Sequence, residues 1–187
     1  MVTPSLELTE GDFHAYLPER ASSNVYSRPR LEFKQRAMNW ARGIGERLRE
    51  AGLDVQLLGS DEHPSVRNSY RVDSQWVYFV RGESQRAQLE PLIQQRVGLV
   101  RAVQSIPTRQ LHACLALRLD SRQVQVFAKL HPDAYVDFET FRARVSDQAR
   151  ATQIAACIAG LPEQFSFGLL GHEGADQIGR ASCRERV

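Results

Sequence analysis

An α+β domain with a mainly antiparallel sheet, its helices packed on one face, follows from three features of the chain. Residues 111–130 hold two alternating apolar and polar runs joined by a short polar turn, the pattern of a β-hairpin. Residues 69–80 are rich in aromatic and β-branched side chains, and apolar residues at helical spacing fill the segments between these runs. At 187 residues, 42% hydrophobic and 25% charged, the chain has the composition of a globular domain able to bury a full core. No window approaches the roughly 20 uninterrupted apolar residues of a membrane helix. Residues 1–16 lack the basic-then-apolar layout of a signal peptide, so a cytoplasmic protein with no membrane partner is expected.

The elements are predicted as follows. Thr9 and Asp12 stand at capping-box spacing before Phe13, Tyr16 and Leu17, predicting a short first helix that Pro18 ends. Over 31–51, Leu31, Met38, Ala41, Ile44 and Leu48 recur at steps of three, four and seven, which marks an amphipathic helix with Gly52 at its C-cap. Gly43 and Gly45 within it each cost about 1 kcal/mol relative to Ala. A strand over 54–58, a turn reading GSDEHPS and a strand over 69–80 follow; in the second strand Tyr70, Val72, Trp76, Tyr78 and Val80 share one parity, which should face the core. Leu89, Leu92, Ile93, Val97, Val100 and Val103 form a helical stripe that Pro107 closes, with Pro91 near its start.

In the hairpin, a turn at 120–123 sets Leu119 opposite Val124, the register that puts the leucine and valine stripes on one face. The same register sets His112 opposite His131. Pro132 and Asp133 introduce a helix whose buried side is Phe138, Phe141, Val145 and Ala149. A further helical stripe runs through Ile154, Ile158 and Leu161, and 165–170 reads as a last strand.

The tail is expected to have a different origin. Residues 178–187 read IGRASCRERV, the in-frame translation of a short-read sequencing adapter taken from its third base. The adapter's first two bases would end the preceding codon in AG, which permits only Gln, Lys, Glu or a stop, and position 177 is Gln. The expectation is one α+β domain over 1–176, cut short at its C-terminus, with 177–187 an artefactual tail. Without Arg180, Arg184, Arg186 and Glu185 the formal net charge falls from +2 to zero, so the apparent basicity is no argument for a nucleic-acid partner. Cys183 also drops out, and Cys114 and Cys157 lack the spacing of a disulfide framework or a zinc knuckle. The 22 Arg against two Lys, Lys34 and Lys129, fit a GC-rich bacterial genome.

The densest polar constellation is Asp61, Glu62, His63, Arg67, Asn68, Arg71, Asp73 and Gln75. The first reading is a non-catalytic binding or interaction module that meets a protein partner or small ligand through residues 60–75, with Arg67, Asn68, Arg71, Asp73 and Gln75 in contact. The alternative is a metal-dependent phosphodiesterase: Asp61 and Asp73 would hold Mg²⁺ or Mn²⁺, Glu62 or His63 would act as base, and Arg71 would hold phosphate. Asp73-Ser-Gln75 lacks the lysine of the acidic-x-Lys signature of restriction-like nucleases. His112 and His131, with Cβ atoms about 5 Å apart across the strands, would offer two ligands to a transition metal, with no third set by sequence. Tyr70, Trp76, Tyr78 and Phe79 near Arg67, Arg71 and Arg81 could stack bases, but core-facing aromatics and zero net charge oppose that reading. There is no GxxxxGK, no GxGxxG after a strand, no GxSxG and no HExxH.

Four stretches carry a family resemblance: LTEGDFHAY, SDEHPSV, VDSQWVYF and LHACLALRLDSRQVQVFAKL. Together they resemble the bacterial YktB-like family over about two thirds of the chain. The resemblance implies an α+β fold and no established activity, and it supplies no catalytic residue.

Overall fold

Thr9 and Asp12 begin the first helix, α1 (Glu10–His14), at the spacing that predicts it. Asp12 Oδ2 accepts from Thr9 N at 2.8 Å and from Thr9 Oγ1 at 2.9 Å. The computed structural model describes residues 5–103 and 107–161, the side chains of 96–103 and 108 excepted. The strand expected over 165–170, the side chains of Val97, Val100 and Val103, and the tail over 177–187 lie outside the described residues.

The long helix α2 (Ser27–Glu50) starts four residues before the predicted boundary, because the 3-10 turn Asn24–Tyr26 leads straight into it. It ends in a Schellman motif: Gly52 takes φ +83°, its N–H bonds Arg49 O, and Leu53 N–H bonds Leu48 O. The face it buries is Arg30, Phe33, Ala37, Ala41 and Gly45. Leu31 stands at the rim, 38% exposed, while Met38, Ile44 and Leu48 flank the buried row. The small Ala37, Ala41 and Gly45 let the helix lie close on the sheet.

Four strands form an antiparallel meander in the order β1 (Val55–Gly59), β2 (Ser74–Arg81), β3 (Cys114–Asp120) and β4 (Val124–Lys129). Leu119 pairs with Val124, Leu117 with Val126 and Leu115 with Ala128, the register that side-chain parity requires. Asp120 Oδ1 sets the turn by accepting from Arg122 N and Gln123 N at 2.8 and 3.1 Å.

β2 starts at Ser74 and not at 69, because Ser69 and Tyr70 adopt left-handed backbone, φ 55° and 58°, which no strand accommodates. The larger core lies on the parity opposite to the one expected, while Tyr78 and Val80 of the expected parity are buried in a smaller cluster on the other face. Val77 and Phe79 join Leu117 and Leu119 against Phe33, Ala37 and Ala41 of α2, with Ala15, Tyr16 and Val72 closing the cluster. Trp76, Tyr78 and Val80 point to the other face, where they meet Cys114, Ala116, Phe127 and Leu58. Because α2 packs on β1 and β2, Leu115 and Val126 on its side of the sheet remain 37% and 47% exposed.

Helix α3 (Glu83–Val103) starts six residues before its first predicted apolar position and carries Pro91 inside it. The short α4 (Thr108–Leu111) takes Leu111 out of the predicted hairpin and packs it on Ile93 of α3. The final pair is α5 (Tyr135–Ser146) and α6 (Gln148–Ala159). Asp147 separates them by capping α6, its Oδ1 accepting from Arg150 N at 2.9 Å, so Ala149 belongs to the second helix. The side of α5 expected to be buried is open: Phe138, Phe141 and Val145 are 48%, 47% and 37% exposed.

Candidate functional site

The polar segment between β1 and β2 is held on the frame at both ends. Ser60 Oγ accepts from Trp76 N at 2.9 Å and from Gln75 Nε2 at 2.7 Å, and Gln75 is 1% exposed. Val72 N donates to Ala21 O at 2.9 Å, tying the far end to the connection before α2. Between these anchors the 3-10 turn Val66–Asn68 is closed by Asn68, whose Oδ1 accepts from Ser65 N at 2.7 Å and whose Nδ2 donates to His63 O at 2.8 Å. Tyr70 N then donates to Ser65 O at 2.7 Å, and this bond rests on the left-handed pair Ser69–Tyr70.

The residues singled out in this segment divide into two groups. Gln75 and Asn68 are spent on the loop's own architecture. Glu62 pairs with Lys34 Nζ of α2 at 2.7 Å, each side chain 23% exposed. Burial by itself would raise the Glu62 carboxyl, but the Lys34 bond, the local backbone and the charges of Lys34 and His63 outweigh it and hold its pKa below the ordinary value. His63 Nδ1 stands 3.8 Å from Glu62 Oε1, and exposed Asp73 accepts from Ser74 Oγ at 2.9 Å. Asp61 is half-buried beside them. Arg67 and Arg71 are exposed, together with Val66 at 76% and Tyr70 at 60%. The loop therefore presents two guanidinium groups and two apolar side chains from a braced backbone.

Among the described residues no three His, Cys, Asp or Glu side chains come together as a metal site. The two histidines of the expected pair turn to different carboxylates. The ladder ends at Cys114 with Lys129, so His112 caps α4 and lies 3.9 Å from Asp137, while His131 Nδ1 accepts from Asp133 N at 3.1 Å. Asp137 also takes Arg81 Nη2 at 2.5 Å and Ala113 N at 2.6 Å, which locks α5 to the end of the sheet.

A second assembly lies on the sheet face away from α2; sequence reasoning weighed Trp76 and Tyr78 for base stacking but missed the side chains that join them. Tyr78 and Trp76 stack at 5.5 Å, Trp76 and Phe127 at 5.8 Å. Arg118 and Lys129 sit 5.4 and 5.5 Å from the Trp76 ring centre, and Arg109 sits 5.5 Å from that of Tyr78. The hairpin parity already puts Arg118, Phe127 and Lys129 on one side. Only the β2–β3 register, with Trp76 opposite Arg118, brings the aromatic strand to them.

Compared with protein-family models, with curated proteins and with solved structures, the chain matches none.

Proposed function

We propose that the chain is a non-catalytic binding module and that residues 60–75 are its recognition element, meeting a protein or small ligand that carries carboxylate groups. Residence in a bacterial cytoplasm belongs to the same proposal and rests on the sequence reading. The observation that carries it is the pair Ser69–Tyr70, two consecutive non-glycine residues in left-handed backbone, the second holding its ring 60% exposed. Such residues cost roughly 1–2 kcal/mol each, and strain of this kind concentrates where a chain binds or reacts.

The surroundings agree with a binding role. Tyr and Arg are the side chains that most often anchor an interface, and Arg67 and Arg71 have no carboxylate within ion-pair distance among the described residues. A loop braced by Asn68, Ser60 and Ala21 has little freedom left to lose when a partner arrives. Glu62 is committed to Lys34, which occupies the carboxylate that the phosphodiesterase reading would use as base.

The test is a titration of isotope-labelled protein with a short oligo-glutamate peptide, followed by backbone amide shifts. The expected result is saturable movement centred on residues 66–71, weakened about tenfold in Arg67→Ala and again in Arg71→Ala. Shifts elsewhere, or none, defeat the proposal. A rise in melting temperature with millimolar Mg²⁺ or Mn²⁺ that Asp73→Asn abolishes would favour the phosphodiesterase reading instead.

A further inference from the structure

The ring row on the sheet face away from α2 has a specific construction. Tyr78 of β2 pairs with Ala116 of β3, and Ala116 pairs with Phe127 of β4. A methyl group in the middle leaves room above it, so rings from strands that are not neighbours meet over Ala116, which is 0% exposed. The row Tyr78–Trp76–Phe127 then ends on β4, the edge strand. Among the described residues no further ring meets Phe127, which is partly exposed.

Cations lie along the same row. Arg118 is compensated by Asp120 at 3.1 Å and also reaches Gln125 Oε1 at 3.3 Å. Lys129 lies over the Trp76 ring and Arg109 over that of Tyr78, and neither has a carboxylate within ion-pair distance among the described residues. Cys114 feels both of them. Burial pushes its thiol up, and the Lys129 and Arg109 charges pull it part of the way back. Lys129 is one of only two lysines in the chain, and it follows Phe127 by two residues on the same side of β4.

We propose that this face binds a nucleotide, free or as a unit of a single-stranded nucleic acid. The base extends the ring row on the open side of Phe127, and the phosphate meets Lys129, two residues along the same strand. A planar ring ending at a sheet edge near the unpaired Lys129 supplies both recognition terms of single-strand binding, stacking and phosphate contact. The cations are already held in place over Trp76 and Tyr78 by their ring contacts, so little side-chain freedom is lost on binding. The small number of charges suits a short ligand and not an extended phosphate tract.

The experiment uses three probes on the full chain: adenosine monophosphate and inorganic phosphate by calorimetry, and a labelled thymidine oligonucleotide of about ten residues by fluorescence anisotropy. Saturable binding of the mononucleotide or the oligonucleotide is expected, tighter than phosphate alone and weaker at higher salt. Binding of one but not the other still supports the site and identifies the source of its nucleotide. Phe127→Leu and Lys129→Gln should each weaken binding about tenfold, the range of a lost base stack. Lys129→Gln keeps a polar side chain of similar length at a partly exposed position of the edge strand, and circular dichroism checks that the fold is retained. The proposal is overturned if neither nucleotide probe binds, if phosphate alone binds as tightly, or if both variants bind like the parent. Neither variant touches Arg67 or Arg71, so the result stands independently of the loop at 60–75.

Discussion

Arg30 donates to the Ala15 carbonyl oxygen from both Nε and Nη2, at 3.1 and 3.0 Å, with its side chain wholly buried. The same guanidinium reaches Arg20 O at 2.8 Å and Ser23 O at 3.3 Å, and packs 5.8 Å from the Tyr16 ring centre. One side chain of α2 thus satisfies the carbonyls of the connection between α1 and α2. Arg30→Ala would strip the buried Ala15 carbonyl and the half-buried Arg20 and Ser23 carbonyls of their donor. The expected loss is roughly 2–3 kcal/mol, since bonds to a charged group are worth about that much and the abandoned Ala15 acceptor stays buried. Urea unfolding checks the value, and Arg30→Lys, with a single point donor for the fork, should recover only part of it.

Gly82 follows β2 at the point where β1 begins to pair with it. Its N–H donates to Asp54 O at 3.0 Å, and a Cβ built on it would fall 1.8 Å from Asp54 Oδ2. Gly82→Ala therefore forces that carboxylate aside, at an expected cost of about 1–3 kcal/mol. Asp54→Ala removes the obstructing group. The double variant Asp54→Ala/Gly82→Ala should be more stable than the sum of the single effects implies, and a double-mutant cycle measures that coupling.

His112 makes stability pH-dependent. The ring is 3% exposed, and burial holds its pKa below the ordinary 6.5; the Asp137 carboxylate pulls it back upward, while the Arg81 and Arg86 charges push it further down. The unfolded chain therefore binds this proton more tightly than the folded one. The contribution is fully present above pH 6.5 and is lost as pH falls from 6.5 to the lower folded value. Denaturant midpoints measured between pH 8 and about pH 5 should fall across that window. His112→Gln should flatten the slope, and an unchanged slope would assign the dependence to another group.

The origin of 178–187 is settled at the gene. We propose that these codons come from an adapter, so amplification of the genomic locus across codon 176 without ligated short adapters should read different codons from position 178 onward. Finding IGRASCRERV encoded there would restore the net charge of +2 and a basic tail able to meet acidic partners.

Much of the local architecture was legible in the residues themselves. Thr9 and Asp12 announced the start of α1, Gly52 the end of α2, and strict alternation on either side of 120–123 fixed Leu119 against Val124. These features depend on backbone chemistry and side-chain parity within a few residues, which the order of amino acids determines by itself. Parity says which side chains of a strand point the same way, but not which way a helix will cover them. That choice belonged to α2: by packing its row of Phe33, Ala37 and Ala41 on Val77 and Phe79, it turned Trp76 and Tyr78 to the opposite face. The same long-range packing gathered Phe127 and Lys129 beside them, drew His112 to Asp137 and left Phe138 and Phe141 open, because contacts between distant segments are decided by competition for one shared core.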